Sequence, residues 1–268
     1  MVGTRSPRPE AEPRDAVGPR LRSFIDLHCH TRASFDSLSP PASVVRAAIA
    51  RGLTHLAITD HDRIEGALEA RDVAARAGAS GAAPLTVIIG EEIRTADGDL
   101  IALFLDHSVP PGMSAPDTVA AIREQGGLVG IPHPFDRFRG TLARDGGMRA
   151  IVPLVDWIET HNARLMGRGN EQAAEFAAAH GLPGVAVSDA HTVLEVGIAY
   201  SILAGDPSTA AGLRSALGGL QLVPGRASVV VRLVTPIAKL IQRARGNGRV
   251  SRSVGEQRDP AVSGPPRS

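Results

Sequence analysis

The chain has 268 residues, 43% of them hydrophobic, enough apolar material for one large domain with a full core. Its net charge of +1 gives the whole molecule no strong electrostatic bias, and no apolar run approaches the roughly 18 residues that a membrane span needs. The single cysteine, Cys29, excludes an internal disulfide framework and fits a reducing cytoplasm.

Residues 1–22 are rich in Pro, Arg and Glu and lack the apolar stretch of a secretory signal. They read as a disordered leader, because so few apolar groups cannot offset the entropy of ordering. From residue 23 to 226 short apolar runs alternate with segments of helical period, which defines the main domain. The runs at 24–27, 55–58, 85–89, 100–105, 128–131, 155–158 and 184–187 read as seven buried strands. Helical period covers 43–51, 65–77, 117–124 and 172–180, closely followed by Gly52, Gly78, Gly126 and Gly181 as expected C-terminal caps. The link between Ile89 and Leu100 is too short for a helix and predicts a hairpin. Strand–helix repetition predicts an α/β fold with a mostly parallel sheet, closed into a small or incomplete barrel. Residues 229–245 are expected to form a strand or helix covering the barrel, and disorder is expected after about residue 246. This 227–268 extension is basic: no acidic residue lies between Asp206 and Glu256, while eight basic ones do. It reads as a solvated face, or as a weak contact for nucleic acid or another acidic surface.

Chemistry-bearing residues sit where the strands end. The first strand runs into Asp26-Leu27-His28-Cys29-His30 and the second into Thr59-Asp60-His61-Asp62. The third ends in Gly90-Glu91-Glu92, and the fourth starts beside Asp99. The fifth ends in Pro132-His133-Pro134, the sixth in Glu159-Thr160-His161-Asn162 and the seventh in Ser188-Asp189-Ala190-His191. In parallel barrels the carboxyl ends of the strands converge on one rim, where active sites are built. Residues i and i+2 of a strand point the same way, so His28 can act with His30, and Asp189 with His191. Gathering these groups at one rim without cations is costly. Two or three divalent ions, Mn, Zn or Fe, suit the mixed imidazole and carboxylate donors. Cys29 alternates with the two histidines and is expected to face the barrel wall. His55 at the opposite rim and His180 at a helix C-terminus read as structural, and His107 is left open.

These motifs, in this order, resemble the PHP family, the polymerase and histidinol phosphatase domains. The match runs from about Ile25 to His191 and continues more weakly to about residue 230. The resemblance implies a distorted seven-stranded (β/α)7 TIM-like barrel, a trinuclear metal site at the C-terminal rim and phosphoesterase activity. It is nearest to the stand-alone phosphoesterase branch acting on nucleotide-like substrates. Carried over by position, the metal ligands are His28, His30, Asp36, His61, Glu92, His133, Asp189 and His191, with Glu92 bridging. Asp36 stands one residue further along than in the nucleoside phosphoesterase branch. Asp99 takes the place where many relatives carry a histidine, which alters the affinity or identity expected for one ion. Asp60 is expected to orient a ligand histidine.

A metal-activated water and a small phosphorylated substrate call for flanking cations, and Arg32, Arg137, Arg139 and Arg164 are the candidates. The substrate class spans nucleotides, nucleoside bisphosphates, short oligonucleotides and sugar phosphates. His161 is the candidate general acid, or an outer ligand. Hydrolysis of a non-phosphate bond and a non-catalytic metal- or partner-binding module remain as alternative readings.

Overall fold

Successive strand residues face opposite sides of a sheet. In the computed structural model, which describes residues 22–136 and 147–250, that alternation separates an inner from an outer apolar layer. The strands are β1 Arg22–Asp26, β2 His55–Ile58, β3 Thr86–Arg94, β4 Asp99–Leu103, β5 Leu128–Ile131, β6 Trp157–Asn162, β7 Gly184–Val187, β8 Tyr200–Ala204 and β9 Gln221–Val223. Ile25, Ile88, Ile101, Leu103, Leu128, Trp157, Val185 and Val187 fill the inside. Their strand neighbours pack outward. Leu56, Ile58 and Val87 meet the first two helices, α1 Pro41–Ala50 and α2 Glu65–Ala79. Leu100, Ala102, Val129, Ile131 and Ile158 meet α3 Ala115–Glu124 and α5 Gly169–His180. A short α4, Gly147–Ile151, precedes β6, and α6, Ala210–Ala216, closes the base.

The sheet has the order β7-β6-β5-β4-β3-β2-β1-β8-β9. Among the described residues it has nine strands where seven were expected, because β8 and β9 add antiparallel pairings beside β1. The expected hairpin is present: β4 runs antiparallel to β3 and also to β5. Parallel and antiparallel pairings are therefore equally frequent, and the sheet is mixed rather than mostly parallel. β7 closes the barrel through side chains and one isolated bridge. The Ala186 amide donates to Ser201 Oγ at 2.9 Å, the Ser188 amide donates to Asp26 Oδ1 at 3.0 Å, and Cys29 bridges Ala190. A Cβ on Gly130 would lie 2.1 Å from Trp157 Cε2, so only glycine leaves room for the indole that fills the barrel.

Three of the four expected glycine caps hold. Gly52, Gly126 and Gly181 follow their helices with φ of 74°, 75° and 65°. Gly78 instead lies inside α2, which runs on to Ala79 and turns at Gly81 (φ 88°).

The segment after β9 forms α7, Val229–Arg232, and α8, Val234–Ala244. They lie against the rim with an inverted pattern: Gln242 is buried while Val229, Val230, Leu233, Ile237 and Leu240 are exposed. Gln242 Nε2 donates to the carbonyls of Arg32, Ser34 and Ser37 at 2.7, 3.1 and 2.8 Å. Asn247 Nδ2 donates to the carbonyls of Arg32 and Ala33. Residues 1–21 and 251–268, most of the expected leader and tail, lie outside the described residues. Among the described residues no helix is long and apolar enough to cross a membrane.

Candidate metal centre

Each strand-end motif delivers its side chain to one rim, and the hairpin explains how the fourth strand takes part. Because β4 is reversed, its first residue, Asp99, lies opposite Arg94 at the end of β3. The backbone is bent at three rim positions: Asp62, His133 and Asp189 have φ of 55°, 26° and 51°. Non-glycine residues seldom occupy this region, and such strain concentrates at functional sites.

Glu92 is the hub. Its Oε2 lies 3.2 Å from His28 Nε2, 3.3 Å from His30 Nε2 and 3.3 Å from His61 Nδ1, and its Oε1 lies 3.0 Å from His133 Nε2. Asp36 Oδ2 joins His61 Nε2 and His191 Nε2, each at 3.2 Å. Asp189 Oδ1 lies 3.6 Å from His28 Nε2 and 3.5 Å from His30 Nε2. Among the described residues, two groups offer three ligand atoms all within 4.8 Å of one another: His30, His61 and His191, and His28, His30 and Asp189. His30 belongs to both. All these residues are buried.

The donor set fits divalent ions. His28 Nε2 and His30 Nε2 face each other at 3.0 Å, and His30 Nδ1 and His133 Nδ1 are buried without a hydrogen-bond partner. Converging buried imidazole nitrogens and carboxylate oxygens are costly unless a cation joins them.

Protonation follows the same geometry. Burial would push the carboxyl of Asp36 up, but His61 and His191 hold it well below the usual range. Burial opposes charge on His61, yet Glu92 and Asp36 raise its pKa to about 9. Glu159, Asp189 and Glu92 likewise overcome burial and raise His28 well above its ordinary value. His30 goes the other way, to about 3, through burial and then the neighbouring charges of His191, His61 and His28. It is the neutral ring at the centre.

Glu159 was absent from the expected site. Its Oε1 lies 2.6 Å from His28 Nδ1, and its Oε2 accepts from the His133 amide at 2.8 Å and from Asn162 Nδ2 at 2.9 Å. The neighbouring His161 is turned away. The β6–β7 register shifts between Glu159 and His161, so strand parity breaks there. His161 Nε2 lies 2.8 Å from the Gly225 carbonyl oxygen, and its Nδ1 lies 3.5 Å from Asn170 Nδ2. These contacts anchor the chain after β9 and replace the expected catalytic position.

Asp60 supports a loop instead of a ring: it accepts from Thr31 N and Thr31 Oγ1, both at 2.6 Å. Burial raises it to about 6 against those bonds.

A cavity of about 560 Å³ opens above the cluster, within the roughly 300–1,000 Å³ of small-ligand sites. Asp36, His61, Asp99 and His191 line one side, while Arg164, Arg232, Lys239 and Arg249 bring cations. Of the expected phosphate-binding arginines among the described residues, Arg164 is on this wall and Arg32 is not; Arg164 is held by Glu195 Oε1 at 2.6 Å and Thr235 Oγ1 at 2.7 Å. Arg32 points outward to Glu69 at 3.0 Å and is corrected to a surface ion pair. Arg137 and Arg139 lie outside the described residues. The other three cations come from the C-terminal segment, whose sequence reads as a solvated or acid-binding face.

Cys29 packs in the outer layer with Val44, Val45 and Leu56, as its alternation predicts. His55 lies 3.0 Å from Ser208 Oγ, and His180 Nδ1 lies 2.9 Å from the Phe176 carbonyl oxygen, so both are structural.

Two sequence families match the chain: one described as PHP domain, over residues 26–142, and one described as PHP-associated, over residues 167–219. An uncharacterized protein of Methanocaldococcus jannaschii is 34% identical over 148 residues, 52% of this chain and 81% of its own length. A 5′-3′ exoribonuclease of Haemophilus influenzae is 32% identical over 123 residues, 41% of this chain and 42% of its own length. A crystallised two-domain protein from Bacteroides vulgatus, containing a predicted PHP-like metal-dependent phosphoesterase, superposes with a TM-score of 0.64. The match has 20% identity and covers 81% of this chain and 70% of that one, a likeness of fold.

Proposed function

The chain belongs to the PHP family, and from that membership we propose that it is a metal-dependent phosphoric ester hydrolase acting on a small phosphorylated substrate. The observation that carries this reading is the pairing of two three-ligand groups, joined at His30, with a cationic wall across one cavity. Divalent ions of the Mn, Zn or Fe kind, when bound there, lower the pKa of water and draw phosphoryl oxygens toward them.

The chain's own groups have separable roles. His28, His30 and Asp189 would hold one ion, and His61 and His191 with Asp36 the other, because a neutral His30 ring has a single free lone pair. Glu92, in reach of His28, His30, His61 and His133, is placed to bridge them. Glu159 orients His28 through Nδ1, and Asp60 fixes the Thr31 loop. Arg164, Arg232, Lys239 and Arg249 form the wall that would receive the phosphate charge. Hydrolysis of a non-phosphate bond would leave that wall without a role. The exoribonuclease likeness and the basic segment favour a nucleotide or the end of a short oligonucleotide within the substrate class. The single, buried Cys29 fits a reducing cytoplasm.

The test is phosphate release by metal-reconstituted protein from phosphomonoesters, nucleotides, nucleoside bisphosphates and short oligonucleotides. Release that vanishes with His28→Ala/His30→Ala supports the proposal. Silence across the panel from a protein that binds its ions would favour another hydrolysis.

A further inference from the structure

Asp99 stands apart from the rest of the cluster. Its carboxyl is 4% exposed and lines the cavity with Asp36, His61 and His191. Yet it belongs to neither three-ligand group. Its cationic partner is a side chain: Arg249 Nη2 donates to Asp99 Oδ1 at 3.1 Å. The Nε of the same guanidinium lies 3.6 Å from Asp62 Oδ2, in a side chain with no exposure, and its central carbon sits 5.5 Å over the Phe35 ring.

Arg249 is held in that position from both sides. Asn247 Oδ1 accepts from Arg63 Nη1 at 2.7 Å, and its Nδ2 donates to the carbonyls of Arg32 and Ala33 at 3.3 and 3.2 Å. On the other side Arg94 Nη2 donates to the Val250 carbonyl at 3.3 Å. The cation thus arrives from a clamped segment 150 positions away in sequence.

Two buried carboxylates beside a negatively charged cluster need a positive partner. A divalent ion could serve, and so can a guanidinium, which stays charged at every working pH. The two exclude each other, because the guanidinium occupies the place beside Asp99 and like charges a few ångströms apart repel.

We propose that Arg249 fills the cation place at Asp99, so that the centre binds two metal ions beside a fixed guanidinium and has no third metal position. This rests on the metal-binding reading above and deepens it. The C-terminal segment then supplies the centre with a charge that no chelator removes.

The test counts ions. Protein is reconstituted with excess Mn²⁺ or Zn²⁺, desalted, and measured by elemental mass spectrometry, with thermal melting to confirm folding. The wild type is expected to carry two ions per chain and Arg249→Ala three, with the third lost again in Arg249→Ala/Asp99→Asn. Asp99→Asn alone should stay at two, which tests the idea even if Arg249→Ala does not fold. Three ions in the wild type, two in a folded Arg249→Ala, or a fall below two in Asp99→Asn would overturn the proposal while leaving the metal-binding reading intact. A wild type that binds no ions overturns both.

Discussion

Glu159 Oε1 lies 2.6 Å from His28 Nδ1, and this contact directs the opposite ring nitrogen of His28 toward His30 and Glu92. A carboxylate behind a ligand histidine fixes its tautomer and its aim. Glu159→Ala is therefore expected to weaken metal binding by about 10–100-fold. Competition with a chromophoric chelator reads this directly, and an unchanged affinity would remove Glu159 from the orienting role.

His30 is shared by both three-ligand groups, whereas His191 belongs to one. His30→Ala and His191→Ala should each lose one ion, and the double variant both. Metal content after desalting checks this, and full occupancy in either single variant would mean that the two groups are not the two ion positions.

Protonation competes with metal for the same ring atoms. His61 is raised to about 9 in the metal-free protein, so at neutral pH it must release its proton to bind. Metal uptake should acidify a weakly buffered solution, and affinity should climb as pH rises toward about 9. Metal-free stability has the opposite sign. A pKa raised above its unfolded value stabilises fully below 6.5 for this ring, and that stabilisation is lost as pH passes about 9. Glu91, raised to about 8, acts in the same direction within this window, whereas the contribution of Asp60, raised to about 6, is already lost below it. Asp36 and Glu92 are depressed, so their contribution persists across this window and is lost only in acid. Melting of chelator-treated protein should therefore fall between pH 6.5 and 9; a rise would contradict these assignments.

Gly130→Ala tests how the barrel is filled. The new methyl would meet the Trp157 indole at 2.1 Å, inside a closed layer. Overpacking of this kind costs about 1–3 kcal/mol. Denaturant unfolding should show that loss, and full stability would mean that Trp157 can repack.

The first seven strands and most of the cluster were legible because both rest on local pattern. Apolar runs mark buried strands, and polar residues at their ends mark the rim. His161 was misplaced because alternation puts it on the same face as Glu159, and the register shift between Glu159 and His161 breaks that parity. Arg32 misled for a related reason: proximity to His30 in sequence does not set direction, and its side chain follows Glu69 on α2. Arg232 and Lys239 could not be placed, since no local pattern tells which face of a helix near the C-terminus docks on the rim, and Arg249 lies past the last helix, where no periodic pattern applies. The exposed Leu233, Ile237 and Leu240 would have pointed to the wrong face. β8, between β1 and β9, and the edge strand β9 are short and of mixed exposure and carry little apolar signal.

The most direct test strips the protein with chelator, returns Mn²⁺, Zn²⁺ or Fe²⁺ in steps, and follows phosphate release from the best substrate beside the bound-ion count. No release is expected from the stripped protein, with recovery as the ions fill and none at any loading in His28→Ala/His30→Ala. Release that persists without metal, or that survives in the double variant, would contradict metal-dependent hydrolysis at this centre.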